Sequence, residues 1–311
     1  MDPIQQNTVS GFTGQSLERF YGINNVDPPH RLFPVNIGHY YIYPLQEANN
    51  VDIDNSYGLD SRGGYGTAFI SGTNIHSLWS NTEKTIAMFV DTATLYQIQP
   101  DFTKLAVATR LSLNARMSYA SANDRVYYTN KYQIGYIKNG VNYPLMDPQI
   151  DFKMPLPAGQ FIDFFRGCVF VAKDNVLYIS DPLCDYYDVR TGVRNFADYI
   201  TMLRGVNEDG VYVGGNQIYF LRGKANEDFE RLNVYSVGVI PYTDITVNGK
   251  FIDESLEDIV MFTSLNGVCI GDGKGTITNL TEARYKLSPT YQGAGFVREK
   301  NNVRHYINTL Y

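Results

Sequence analysis

Six short hairpin patterns organise the sequence, at residues 86–98, 125–137, 168–180, 211–221, 259–271 and 296–307. Each sets an apolar or aromatic strand before a tight polar turn and a second strand after it. A landmark in the second strand falls at Tyr96, Tyr136, Tyr178, Tyr219, Cys269 and Tyr306, at intervals of 40, 42, 41, 50 and 37 residues. Strand-rich units repeating every ~40 residues mark radially repeated β architectures. One such unit cannot bury its own apolar face, so the units must pack side by side around an axis. The expected fold is therefore all-β: a β-propeller of six blades (five or seven being the alternatives), closed by N- and C-terminal strands, with an extended N-terminal arm.

Local chemistry agrees with this reading. Asp174-Asn175, Gly214-Gly215-Asn216, Asn266-Gly267 and Lys300-Asn301-Asn302 suit the positive φ of tight hairpin turns. Tyr is abundant, 25 residues against one Trp, and with Val, Ile and Thr it favours pleated, half-buried surfaces. No segment sustains a 3.6-residue apolar period; residues 195–203 and 254–260 come nearest, and both are short. The last hairpin ends at Tyr311 with its unit incomplete, and strands around Val51 and Ala68 are expected to supply what is missing. The 50-residue interval is assigned to a longer loop over residues 243–254. Pro28, Pro29 and Pro34 forbid a helix near the start. Residues 1–45 thus read as an arm with a strand near 39–43, and 46–311 as the propeller, which opens on a short strand over 50–54 closed by a turn at 55–58.

The charge balance narrows the partners. The formal net charge is −6, from 26 basic and 32 acidic residues, with no basic run. A groove that tracks phosphates is not expected, because such binding rests on clustered Lys and Arg. Mild acidity serves solubility, or keeps DNA from sticking to a channel wall. Three cysteines, Cys168, Cys184 and Cys269, show no ligand spacing and no disulfide framework, and Cys168 and Cys269 lie in strand patterns that bury thiols. The first residues have neither the basic nor the apolar stretch of a signal peptide, and no apolar run reaches membrane-spanning length.

Candidate chemistry is sparse. His30, His39, His76 and His305 form no metal-ligand spacing. Residues 52–56 begin like a calcium loop, but Tyr57 stands where the loop needs Gly and Gly63 where it needs Glu. Gly271–Thr276 places Gly275 where a phosphate loop has Ser or Thr, so it reads as a β-turn. Asp181, Asp185 and Asp188 cluster beside Tyr186, Tyr187, Arg190 and Arg194. Paired carboxylates near a propeller axis can hydrolyse glycosides, but this mixture of acids, bases and tyrosines equally suits a structural loop or a subunit contact. On these grounds the chain is expected not to be an enzyme and to hold no metal or cofactor.

Three segments carry a resemblance. FYGINNVDPPHRL at 20–32, followed by LQEANNVDIDNSYGLDSRGGY at 45–65, looks like the start of phage virion proteins. YISDPLCDYYDVR at 178–190 and FVREKNNVRHYINTLY at 296–311 resemble segments of the same group. Phe33 and Val35 depart from the polar residues that the resemblance leads one to expect there. The group is similar to the tail nozzle proteins of short-tailed bacteriophages. The resemblance implies a structural subunit of a homo-oligomeric ring, six copies in that family, around the DNA exit channel below the portal and adaptor. DNA would pass without sequence-specific binding, no membrane would be entered, and the protein would be made in the host cytoplasm and reside in the virion. Under that reading the subunit contacts fall to Asn24, Asn25 and Arg31 in the arm and to Asp181, Asp185, Tyr186, Tyr187, Asp188, Arg190 and Arg194 in the loop. The alternative is a glycan- or receptor-binding propeller of the tail tip.

Overall fold

The computed structural model describes residues 19–47, 51–53, 56–61, 70–83, 85–122, 124–207, 209–223, 229–251, 257–281, 284–285, 287, 291–300 and 303–311. Two compact units divide the chain, a smaller one from residues 1–65, 283–286 and 300–303, and a larger one from the remainder.

In the smaller unit, β1 (Phe20–Ile23), β2 (Val35–Ile37) and β3 (Tyr40–Leu45) form a sheet in the order β1-β3-β2. Gly38, at φ 63°, turns the chain between β2 and β3, a conformation that costs glycine no Cβ clash. The prolines act as expected, allowing only a short 3-10 turn at Pro29–Arg31. Strand β4 (Val51–Ile53) pairs with β5 (Leu59–Ser61).

The larger unit contains five four-stranded antiparallel sheets. The first is β6 (Ile75–Ser80), β7 (Ala87–Asp91), β8 (Thr94–Ile98) and β9 (Lys104–Ala108). The second is β10 (Ser118–Ala122), β11 (Arg125–Thr129), β12 (Ile134–Lys138) and β13 (Val141–Pro144). After β14 (Lys153–Pro155), the third comprises β15 (Phe161–Phe165), β16 (Cys168–Lys173), β17 (Val176–Ile179) and β19 (Val193–Asn195), with β18 (Tyr186–Asp188) outside it. The fourth is β20 (Met202–Val206), β21 (Gly210–Gly214), β22 (Ile218–Arg222) and β23 (Glu230–Tyr235). The fifth is β24 (Ile245–Asn248), β25 (Asp258–Ser264), β26 (Gly267–Gly271) and β27 (Ile277–Asn279). A hairpin of β28 (Gly293–Lys300) and β29 (Val303–Leu310) follows. All six hairpins read from the sequence are antiparallel neighbours, five of them as the second and third strands of a four-stranded sheet.

Alternation along each strand explains the stacking. Side chains one residue apart point to opposite faces, and here both faces are buried. Tyr128 joins Met88, Leu95 and Tyr119 in the core between the first and second sheets. Tyr127, its neighbour, joins Ile162, Val169 and Val171 between the second and third. Phe170 packs with Leu203, Val211 and Leu221 against the fourth sheet. Tyr212 and Phe220 meet Val260 and Phe262 of the fifth, and Val247, Ile259 and Met261 meet Val297 and Tyr306 of the last hairpin. Within this stack β10 lies against β15, β15 against β20, and β20 against β24. These four strands, each the first of its sheet, therefore lie side by side.

Side-chain to backbone hydrogen bonds add to this packing. The Thr129 hydroxyl, fully buried, donates to Gly159 O at 2.8 Å and accepts from Gly159 N at 2.9 Å. Thr129→Val keeps the shape but orphans the Gly159 N–H. It is expected to cost about 1–3 kcal/mol, read as a lower urea midpoint with an unchanged slope.

Three expectations change. The sixth unit is a two-stranded hairpin among the described residues, not a full blade. The strand at Val51 pairs with β5 and not with that hairpin; Ala68 and the Asn301-Asn302 turn lie outside the described residues. The segment assigned to a long loop over 243–254 holds β24, the first strand of the fifth sheet; residues 252–256 lie outside the described residues. The hairpin search missed β24 because four residues with one Asn give too short an alternation to stand out.

Candidate functional site

The third sheet breaks the simple meander. Between β17 and β19 the chain leaves the sheet and makes β18, which pairs antiparallel with β14: Lys153 opposite Asp188, Met154 opposite Tyr187, Pro155 opposite Tyr186. This small added sheet carries the loop singled out from the sequence. Its acids are all engaged. Asp188 is buried and accepts from Arg190 Nη2 at 2.6 Å and Nε at 3.0 Å, with Lys153 Nζ at 3.1 Å. Lys153 also reaches Asp181 at 2.5 Å. Asp185 takes Arg125 Nη1 at 2.9 Å and the Tyr127 hydroxyl. Tyr187 is buried edge-on against Tyr178, 5.2 Å between centroids. Arg194 donates to Thr191 O at 2.6 Å and Val193 O at 2.9 Å. The seven loop residues are thus gathered around one sheet whose charges hold its own backbone in place.

Bonds from the Arg190 side chain and backbone hold the Asp188 carboxyl well below its ordinary 3.8. A carboxyl depressed by folding stabilises the protein above about pH 4 and loses that effect as the pH falls through its folded value. Asp188→Asn is therefore expected to lower the urea midpoint at neutral pH, and the gap from the wild type should close on acidification below about pH 3.

Outside these ion pairs the added sheet exposes apolar surface. Ile150, Phe152 and Met154 are 50%, 57% and 51% exposed, and Val189 is 40% exposed. Val189 N donates to Phe152 O at 3.0 Å, and the Arg190 guanidinium lies 4.4 Å from the Phe152 ring centroid.

The three arm residues lie in the smaller unit. Asn24 is buried, its Oδ1 accepting from Val26 N at 3.2 Å and Asp27 N at 3.1 Å, so it shapes a turn. Asn25 N donates to Arg284 O at 3.0 Å, and Arg31 is exposed on the 3-10 turn. Nearby, Phe33, Val35, Ile37, Tyr40 and Tyr41 are all exposed, on or beside β2 and β3.

A second polar feature lies on the inner strands and was not anticipated. Arg204, in the middle of β20, donates to Asp244 Oδ2 from Nη2 at 2.7 Å and Nε at 2.9 Å. It also faces Asp163 of β15 at 4.0 Å. Asp163 in turn accepts from Gly205 N at 2.6 Å and Phe164 N at 2.9 Å. Burial pushes the Asp163 carboxyl up, against the pull of Arg204. Burial opposes the Arg204 charge, but the two carboxylates outweigh it and raise its pKa. Beside them Arg116 donates to Gly293 O at 2.5 Å and lies 4.1 Å from the Tyr242 ring centroid. His76 Nδ1 is 2.8 Å from Ser77 Oγ, which accepts from Met117 N at 2.9 Å; burial first, and Arg116 second, lower the His76 pKa. The arrangement brings together two carboxyls, an imidazole and two guanidiniums. A signal for part of it existed: Asp163, Arg204 and Asp244 recur 41 and 40 residues apart, at the blade interval, the first two in otherwise apolar strands. Among the described residues no group of three acidic, His or Cys side chains could hold a metal ion.

No known protein family matches the sequence, and no curated protein matches it. Solved structures do. A streptogramin B lyase superposes with a TM-score of 0.50 at 11% identity, over 84% of this chain and 86% of that one. The fold is a β-propeller. XC5397 of Xanthomonas campestris, a gluconolactonase, gives 0.45 at 12% identity over 72% of this chain and 80% of its own. The WD40 domain of Neurospora crassa Pan2 gives 0.44 at 10% identity over 72% and 71%. The likeness to the lyase overturns the expectation that the chain is not an enzyme. The propeller is a fold on which a lyase is built, so missing sequence motifs are no ground for excluding catalysis. Fold alone does not assign an activity either.

Proposed function

We propose that the protein is a structural component of a phage tail, nozzle-like, assembling as a ring of six copies around the DNA exit channel and docking on the portal, adaptor or other tail proteins. The carrying observation is where the apolar patch falls. The β14–β18 sheet with Phe152, Met154 and Val189 is built on the 178–190 segment that resembles phage virion proteins. The other exposed apolar surface, on β2 and β3, follows the second such segment. Two different apolar surfaces on one chain suit a head-to-tail interface, which closes into a ring when the rotation allows. In this reading the propeller has six blades, the β28–β29 hairpin belonging to the last. The hairpin's place beside the fifth sheet supports that, with Tyr306 donating to Thr243 O at 2.6 Å. DNA would pass through the ring without base contacts, in keeping with the net charge of −6. The protein would be made in the host cytoplasm and reside in the virion. Antibody raised against the chain should decorate the tails of intact particles in electron micrographs. Particles that stay bare while the antigen remains in the lysate would contradict the proposal.

A further inference from the structure

An open groove of about 580 Å³ runs beside β23, lined by Asn233, Val234, Tyr235, Ser236, Val237 and Asn266. Its volume falls in the roughly 300–1,000 Å³ range of small-ligand sites. β23 is the last strand of the fourth sheet, so its outer edge has no neighbour in that sheet. Its pairing shifts between Ile218 and Tyr219, which face Tyr235 and Asn233. Val234 is the extra residue of a bulge, and a bulge re-aims the side chains around it. Asn266 comes from the β25–β26 turn of the fifth sheet and forms the other wall.

The walls are held in place. Gln217 Oε1 accepts from Asn233 Nδ2 at 2.7 Å and from the Tyr219 hydroxyl at 3.2 Å. Asn279 Nδ2 donates to Asn266 O at 3.1 Å and to Tyr235 Oη at 3.4 Å, tying the walls together. With their neighbours so fixed, Asn233 Oδ1, the Asn266 side-chain amide and the Ser236 hydroxyl keep hydrogen-bonding capacity unspent among the described residues. None of the six lining residues is charged.

We propose that this groove binds an uncharged carbohydrate. Amides and hydroxyls each donate and accept, which matches the hydroxyls of a sugar, whereas an anionic ligand would find no counter-charge on a chain of net −6. Val234 and Tyr235 pack partly against the core, so with Val237 they leave only half-buried apolar edges for the C–H face of a ring. The site goes beyond the ring proposal and stands or falls independently of it.

The test uses the full-length protein, saturation-transfer NMR and calorimetry. The probes are neutral oligosaccharides built on glucose, galactose, mannose and N-acetylglucosamine, alongside sialylated oligosaccharides and an extended polar peptide. Binding of at least one neutral oligosaccharide is expected. Asn266→Ala and Asn233→Ala should each weaken it about tenfold, as loss of a hydrogen bond implies. Asn266 is exposed and its side chain holds no wall in place among the described residues, so the melting temperature of its variant should not move; Asn233→Ala gives up the bond to Gln217 and should melt slightly lower, and Ser236→Ala, also exposed, provides a third variant should either fold poorly. The proposal is overturned if no neutral oligosaccharide binds, if only the sialylated probes or the peptide bind, or if binding is untouched by these substitutions.

Discussion

Replacing Arg204 by methionine is expected to destabilise the protein by about 3–5 kcal/mol, the usual consequence of removing one partner from a buried charge cluster. The geometry makes the large figure the right one. Asp244 has a side chain only 3% exposed and both Arg204 donors on one oxygen. Asp163, 13% exposed, loses its ion pair with Arg204 in the same stroke. The Asp244 carboxylate is almost wholly shielded from water, so its charge would be left without Arg204 in a buried setting. The double variant Arg204→Met with Asp244→Leu should recover most of the loss, because apolar replacement of a buried pair is often neutral. Urea denaturation at neutral pH measures both. A single variant within about 1 kcal/mol of the wild type would mean that the inner strands do not hold a desolvated charge cluster.

Substituting Phe152 and Met154 together by aspartate should dissolve the assembly while leaving the fold intact. Both side chains are more than half exposed in the single chain, so their loss removes little from the core. An interface built on this patch would use them as anchors worth about 2 kcal/mol each. Losing both weakens association by about a hundredfold to a thousandfold, enough to turn rings into monomers at ordinary concentrations. Carboxylates here would also sit close to Asp181 and Asp188, whose charges are already spent on Lys153 and Arg190. Sedimentation and thermal melting separate the outcomes. Unchanged assembly with an unchanged melting point would remove this surface from the interface.

What could be read from the sequence divides by range. The six hairpins are local objects, each with its own turn chemistry; Asp174 at φ 56° and Gly267 at φ 127° adopt the positive angles that their residue types suggested. The strands flanking them were harder to see, because they are held by partners a blade away. β14 and β18 are three residues each, one ends in proline, and they meet only because the chain leaves the third sheet and returns. The same holds at the start of the chain. Prolines correctly excluded a helix, but the parallel pairing of β1 with β3 joins residues 20–23 to 43–45 and has no local signature. The clustered acids of the loop were visible as a run, while their partners Arg125, Tyr127 and Lys153 were not. Arg204 with its two aspartates was hidden most fully, since Asp163 and Arg204 each sit alone in an apolar strand, Asp244 just precedes β24, and only the shared blade interval connects them.

The most direct test of the ring proposal is the mass of the purified protein in solution, alone and after mixing with the portal–adaptor complex of the same particle. A closed ring of six copies, or a protein that assembles only on that complex, is the predicted result. A strict monomer that ignores the complex at every concentration would contradict it.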